Sequence, residues 1–324
     1  MSKDYTYAVA RIRGRELSLF GQPVMEQLLG CRTYEEALRF LADRGWGNPE
    51  DALTAENLLD AETEKTWATA RELVDDMSVF DVFRIADDYH NLKAAIKLVY
   101  TDSRMDTSRL YVTGGTLVPE LLEKAARERD FSGLPAEMAE AGAQAQDTLL
   151  HTGDGQLCDV ILDRASLEAI YRAGTASDSE VLQEYARLTV AAADIKIAVR
   201  CGAVGKSLDF IKRALADCKE MDTDALARAA MNGVEGVAEY LGGTVYAPAA
   251  EALKKSPAAF ERWCDDLIIS HMKPQKHNPF TLGPIAAYIL ARRNEIKCVR
   301  MVLSGKQNGL PDEMIRERLR EMYV

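Results

Sequence analysis

Apolar residues recur at intervals of three and four along most of this chain, and alternating runs of Val, Ile and Thr are almost absent. That periodicity predicts helices rather than strands. Several of the predicted helices carry their own end signals. Thr33 followed by Glu36 forms a capping box ahead of the apolar positions Ala37, Leu38, Phe40 and Leu41, and Gly45 supplies the stop. Ser177 and Glu180 repeat the device before a stripe through Val181, Leu182, Tyr185, Leu188, Ala192, Ile195 and Val199 that ends near Gly202. Gly283 and Pro284 open a third long helix, striped by Ile285, Tyr288, Ile289, Ile296, Val299 and Leu303, with Gly305 as its expected stop. A last helix is expected from Pro311, with Asp312 and Glu313 in its first turn and Arg316, Arg318 and Arg320 toward its end, where they complement the helix dipole.

A pattern recurs on a longer scale. The triplets Asn91-Leu92-Lys93, Asp194-Ile195-Lys196 and Glu295-Ile296-Lys297 each join an acid or amide, an apolar residue and a lysine, late in a long amphipathic helix. Their central residues stand 103 and 101 positions apart. Seven residues upstream lie Ile85, Leu188 and Ile289, and three downstream lie Ala95, Ala198 and Val299, with Arg300 breaking a match that Ile96 and Val199 would otherwise extend. A turn-rich segment follows each copy. Lysines beside leucines are common in any helical protein, but the near-equal spacing favours threefold repetition. A period near 100 is that of a whole domain, against about 20 to 50 residues for a solenoid unit. Three homologous helical domains are therefore expected, at 1–107, 108–217 and 218–324.

Composition narrows the function classes. A chain of 324 residues, 47% hydrophobic and 28% charged, can bury a substantial core and has the length of two or three domains. The net charge of -11, with basic residues scattered among acids, argues against nucleic acid as the principal ligand. The most apolar window, from Pro284 to Ala291, stops at Arg292 and Arg293, short of the roughly 20 residues that span a bilayer. The opening residues carry charge throughout and lack the apolar core of a signal peptide, so cytosolic synthesis is expected. Six widely separated cysteines, with no C-x-x-C, point to reduced and mostly buried thiols.

Candidate chemistry is sparse. Residues 202–207, GAVGKS, resemble the end of a phosphate-binding loop, but only two residues separate the glycines where that loop needs four, and a helix rather than a strand precedes them. His271 and His277 flank a proline-containing segment at a spacing unsuited to one helix face, and His90 and His151 stand alone. Asp87 with Asp88 and Asp265 with Asp266 are adjacent pairs whose members face different ways on a helix, the usual geometry of solvated charge. No catalytic, cofactor-binding or metal-binding residue is nominated.

The stretch from Asn278 to Val324 is similar to the end of the C subunit of V/A-type ATPases, the homologue of the eukaryotic d subunit. Pro284, Tyr288, Glu295-Ile296-Lys297, Arg300, Gly305-Lys306, Ile315 to Leu319 and the final Tyr323-Val324 carry the likeness, with weaker similarity in Tyr7 to Leu17 and in Asp88 to Lys97. The resemblance implies an all-α fold of three related domains around a pseudo-threefold axis, shaped as a funnel. It implies a non-catalytic central-stalk adaptor without a cofactor or small-molecule substrate, transmitting torque for ion transport. The implied partners are shaft subunits of the D/F type and a membrane ring of c/K-type proteolipids, with the chain peripheral to the membrane on its cytoplasmic side. Two placements are open for Lys93, Lys196 and Lys297: one level of a ring about the axis, or the solvated outer surface. The rival readings are a helical regulatory scaffold without a rotary role and a helical enzyme whose site is assembled from distant residues. The looser amino-terminal likeness leaves the limits of the first domain open.

Overall fold

The computed structural model describes residues 5–101 and 110–324, and among these it contains helices and turns but no strand. The fold is all-α. In chain order the helices are α1 (Thr6–Glu16), α2 (Gln22–Leu29), α3 (Tyr34–Ala42), α4 (Ala55–Leu73), α5 (Ile85–Thr101), α6 (Pro119–Glu128), α7 (Ala136–Thr152) and α8 (Gly155–Thr175). There follow α9 (Glu180–Ala203), α10 (Leu208–Ala214), α11 (Thr223–Ala230), α12 (Gly233–Gly242), α13 (Ala247–Lys255), α14 (Pro257–Met272), α15 (Gly283–Gln307) and α16 (Asp312–Arg316). Contacts divide the chain into two compact units. One holds 5–77, Ser179–Val181 and Glu251–Val324, and the other holds the described part of Ser78–Asp178 together with Leu182–Ala250.

The first unit is built on α15, against which α1, α2, α3, α4, α14 and α16 pack. The expected apolar stripe is only part of its buried surface. Residues 283–292 are buried all round, and Ala286, Ala287 and Ala291 keep that stretch thin enough for neighbours to approach from several sides. Around its second half, Val299, Val302 and Leu303 join Met25, Leu28 and Leu41 in one apolar cluster. At α3 the cap is formed as expected, Thr33 accepting from the Glu36 N–H at 3.1 Å. The Glu36 carboxylate reaches back one residue further than in a standard capping box, to the Arg32 N–H at 2.8 Å.

The end of this unit departs from the sequence reading twice. Gly305 does not stop α15. The helix continues to Gln307 and closes at Gly309 (φ 66), where the Leu310 N–H bonds Gly305 O at 2.9 Å and the Gly309 N–H bonds Lys306 O at 3.1 Å. This is a Schellman end, which favours glycine at the left-handed position. The role of Gly305 is steric: a Cβ there would lie 2.5 Å from Cδ1 of Ile315. The last helix, in turn, is only one and a half turns long and ends at Arg316. Beyond it the chain is irregular but buried at Leu319, Met322 and Tyr323. Tertiary partners replace the helical ones: Glu321 donates its N–H to Asp266 at 2.7 Å and accepts at its carbonyl from the Asn294 amide at 2.9 Å. Arg320 pairs with Asp265 at 2.6 Å instead of completing a helix dipole.

In the second unit α5, α6, α7 and α8 enclose a core that includes Leu92, Ile96, Leu122, Cys158 and Leu162. Helix α9 starts at Glu180, so Ser179 rather than Ser177 precedes it, and Tyr185 meets Phe83 edge to face at 4.7 Å. The helices that carry the second and third triplets lie in different units, α9 from Leu182 onward in the second and α15 in the first, while α5 shares a unit with that part of α9. These are units of contact, whereas the division at 107/108 and 217/218 is the one expected from the spacing of the triplets. The first of those boundaries, with most of the turn-rich segment after α5, lies outside the described residues.

Val299→Asp is expected to destabilise the first unit by about 4 kcal/mol, because it sets an unpaired carboxylate at a fully buried position beside Glu295. Arg300→Asp, on the exposed side of the same turn, is expected to stay within about 0.5 kcal/mol of the parent. Urea unfolding of the two variants side by side checks this, and equal losses would contradict the placement.

Candidate functional site

The triplets repeat in burial as well as in spacing. Leu92, Ile195 and Ile296 are buried, and the small positions Ala95, Ala198 and Val299 are fully so. The polar residue that opens each triplet is buried too, and this the sequence reading missed. Asn91, Asp194 and Glu295 are each no more than 1% exposed. All three hold the backbone of a segment outside their own helix. Asn91 accepts from the Val112 N–H at 2.9 Å and donates to Val112 O at 3.0 Å. Asp194 accepts from the Ala216 N–H at 2.9 Å, with the Cys218 thiol 3.8 Å from its other oxygen. Glu295 accepts from the Phe20 N–H at 3.0 Å. The signal was present: each stands four residues before the small buried position, and four residues is one helical turn.

The lysines have more local surroundings. Lys93 on α5 pairs with Asp163 of α8 at 2.6 Å, and Lys297 on α15 pairs with Asp265 of α14 at 2.6 Å. Lys196 is half-buried on α9. Lys93 and Lys196 fall in the second unit and Lys297 in the first.

Around Glu295 the burial extends to a charge cluster. Arg292 donates from one nitrogen to Glu295 at 2.5 Å and from the other to Glu62 of α4, and all three side chains are nearly inaccessible. Glu62 also accepts from the Gly47 N–H at 3.1 Å and from Lys65 at 2.7 Å. Lys65 in turn donates to the carbonyls of Gly45 and Gly47, and the Arg292 guanidinium lies 5.3 Å from the centre of the Trp46 ring. Two carboxylates and two cations thus balance, with α4, α15, the α1–α2 link and the α3–α4 link tied together. Burial nonetheless pushes the Glu295 carboxyl up to about 7, against the pull of Arg292 and of the Phe20 N–H. The Asp194 carboxyl is pushed up to about 7 by burial, against the Ala216 N–H, the Cys218 thiol and the weaker pull of Arg164.

With this geometry in place, comparison with known proteins is informative. Residues 8–318 match the family described as ATP synthase (C/AC39) subunit. The chain belongs to that family. The C subunit of the A-type ATP synthase of Methanocaldococcus jannaschii is 25% identical, over 97% of this chain and 86% of its own length. The C subunit of the V-type sodium ATPase of Enterococcus hirae is 23% identical over 96% of this chain and 97% of its own. The C subunit of the V-type ATP synthase of Thermus thermophilus is 23% identical over 98% and 99%.

In this C/AC39 family member the suspicious motifs become ordinary structure. Residues 202–207 form the end of α9: Gly205 (φ 67) is the left-handed residue of another Schellman closure, and Ser207 caps α10. Lys206 is engaged by Gln156 at 2.6 Å and lies over the Phe210 ring. Asp88 corrects the expectation of solvated charge. It is buried and accepts from Thr116 and Leu117 N–H at 2.7 and 2.9 Å, fixing the approach to α6. Asp265 and Asp266 likewise hold Arg320, Lys297 and the Glu321 N–H. Among the described residues no group of three or more His, Cys, Asp or Glu could hold a metal ion, and no helix is long and apolar enough to cross a membrane. The six cysteines are buried and none forms a disulfide. Asn91, Asp194, Glu295 and Asp88 are bonded to backbone of segments outside their own helices, which suits them to hold those segments in place.

Asp194→Asn tests that role through pH. A carboxyl raised to about 7 when folded, from about 3.9 when unfolded, binds its proton more tightly in the native state. Its contribution is therefore fully present below about pH 4 and is lost as the pH rises to about 7, by up to about 1.4 kcal/mol per pH unit. The amide keeps an acceptor for the Ala216 N–H and never ionises. The variant is expected to gain on the parent as pH rises through that window, reaching about 2 to 4 kcal/mol at neutral pH. Urea midpoints from pH 4 to 8 measure the difference, and a gap that does not vary with pH would refute the buried carboxylate.

Proposed function

We propose that this chain is the non-catalytic central-stalk adaptor of a V/A-type rotary ATPase or ATP synthase. One end receives the foot of the shaft, made of D/F-type subunits, and the other sits on the membrane ring of c/K-type proteolipids, so that torque passes between them. The chain is peripheral to the membrane in this reading. Its three homologous segments, 1–107, 108–217 and 218–324, surround a pseudo-threefold axis as a funnel, with Lys93, Lys196 and Lys297 in equivalent places.

The observation that carries the reading is the family match over 8–318, together with relatives named as subunits of ATP synthases and of a sodium ATPase. Physical reasoning supports the mechanical role. A ring of identical subunits has no face that matches a single asymmetric shaft, so a part between them must offer different surfaces at its two ends. Close-packed helical interiors transmit strain rather than absorb it, and the buried anchors at Asn91, Asp194 and Glu295 fasten connecting segments to the long helices.

Omitting the chain from the reconstituted complex is expected to leave ATP hydrolysis by the detached soluble head intact and to abolish ion uptake driven by it. The two rates are read in parallel, on the purified head and on vesicles carrying the complex. Loss of hydrolysis in the head would argue for a catalytic or head-assembly role, and undiminished uptake would argue for a regulatory scaffold.

A further inference from the structure

One corner of the first unit has a surface chemistry unlike the rest of the chain. The last turn of α1, the segment around 273–280 and the C-terminal residues converge there. Arg13 donates to the carbonyls of Gln275 and Asn278 at 2.7 and 3.0 Å, Glu16 bonds the Tyr323 hydroxyl at 3.4 Å, and Lys276 lies 4.8 Å from the centre of the Tyr323 ring. Three apolar side chains stand out from this junction: Leu17 is 89% exposed, Phe280 64% and Val324 43%. They sit on link and tail residues rather than on a helix face.

The charge around them is basic. Arg13, Arg15, Lys273 and Lys276 gather here with Glu16 and Glu321, of which Glu321 is bound to Lys273 and Glu16 to Arg13; Asp266, which accepts the Glu321 N–H, is paired with Arg262. Among the described residues Arg15 is exposed and makes no ion pair. A surplus of positive charge is concentrated here in a chain whose net charge is -11. Exposed single apolar residues ringed by Arg and Lys match the boundary of an anionic bilayer, where apolar tips enter the interface and cations meet phosphate headgroups. A protein partner would favour a flatter apolar patch with a packed centre.

We propose that this corner, carried by Arg15, Leu17 and Phe280, rests on an anionic lipid surface. The remaining acidic surface is repelled by the same lipid, which orients the chain with this corner down. The inference goes beyond the adaptor reading, which concerns protein partners, and vesicles without ring or shaft decide it separately.

The purified chain is mixed with vesicles of phosphatidylcholine alone, and of phosphatidylcholine with phosphatidylglycerol, and the bound fraction is read by cosedimentation. Binding is expected only with phosphatidylglycerol present, and it should fall as salt is raised. Arg15→Glu is expected to weaken the partition at least about tenfold, and the pair Leu17→Ser with Phe280→Ser to weaken it further. All three residues are exposed, so unchanged thermal melting will establish that the variants fold. Absence of binding at low salt, equal binding to both vesicle types, or full binding by the variants would overturn the proposal. So would failure of the Arg15→Glu chain to assemble with its protein partners while lipid binding is absent in the parent, since the corner would then be a protein contact.

Discussion

A polar side chain buried among packed helices costs free energy unless it finds hydrogen-bond partners, and the chain's own backbone supplies many of them. This constraint shapes both units. A backbone N–H on a connecting segment and a carboxylate or amide on a long helix each lack a partner alone; brought together, they satisfy one another and fix where the segment runs. Asn91, Asp194 and Glu295 do this at corresponding positions of α5, α9 and α15, and Asp88 does it for the approach to α6. The chemical requirement at these positions is an acceptor oxygen, which explains how an amide, a short acid and a long acid can occupy them.

The third such position carries the heaviest electrostatic load. Glu295 shares Arg292 with Glu62, and the resulting cluster ties two helices and two links in the first unit. Removing one member of a buried set of this kind costs about 3–5 kcal/mol, chiefly because it strands the others. A cluster that punishes partial dismantling gives a single geometry.

Exposed ion pairs contribute differently. Lys93 with Asp163 and Lys297 with Asp265 are partly exposed, and pairs of that type are worth about 0 to 1 kcal/mol. They favour the local orientation of α8 and α14 without determining the fold. The conspicuous lysine of the triplet is thus energetically the lesser partner of the inconspicuous acid or amide two residues before it.

Local signals in the sequence determined the all-α class, the cap at Thr33, the glycine after α3 and the start of α15 at Gly283, because helix periodicity and end chemistry act over a few neighbouring residues. The triplet spacing also pointed to positions that proved buried in all three long helices. Only the tertiary structure decided which polar residues face inward. Arg292 ended an apolar window in the sequence, and nothing adjacent to it announces Glu62, which lies 230 residues away. Gly305 reads as a stop until Ile315 is seen to need its missing side chain. The tail after Arg316 reads as helix until Asp265, Asp266 and Asn294 take its backbone and charged groups. Periodicity records what a residue does to its own helix. The partner that relieves a buried charge, or the side chain that fills a notch, comes from elsewhere in the chain, and its identity is settled only when the helices pack.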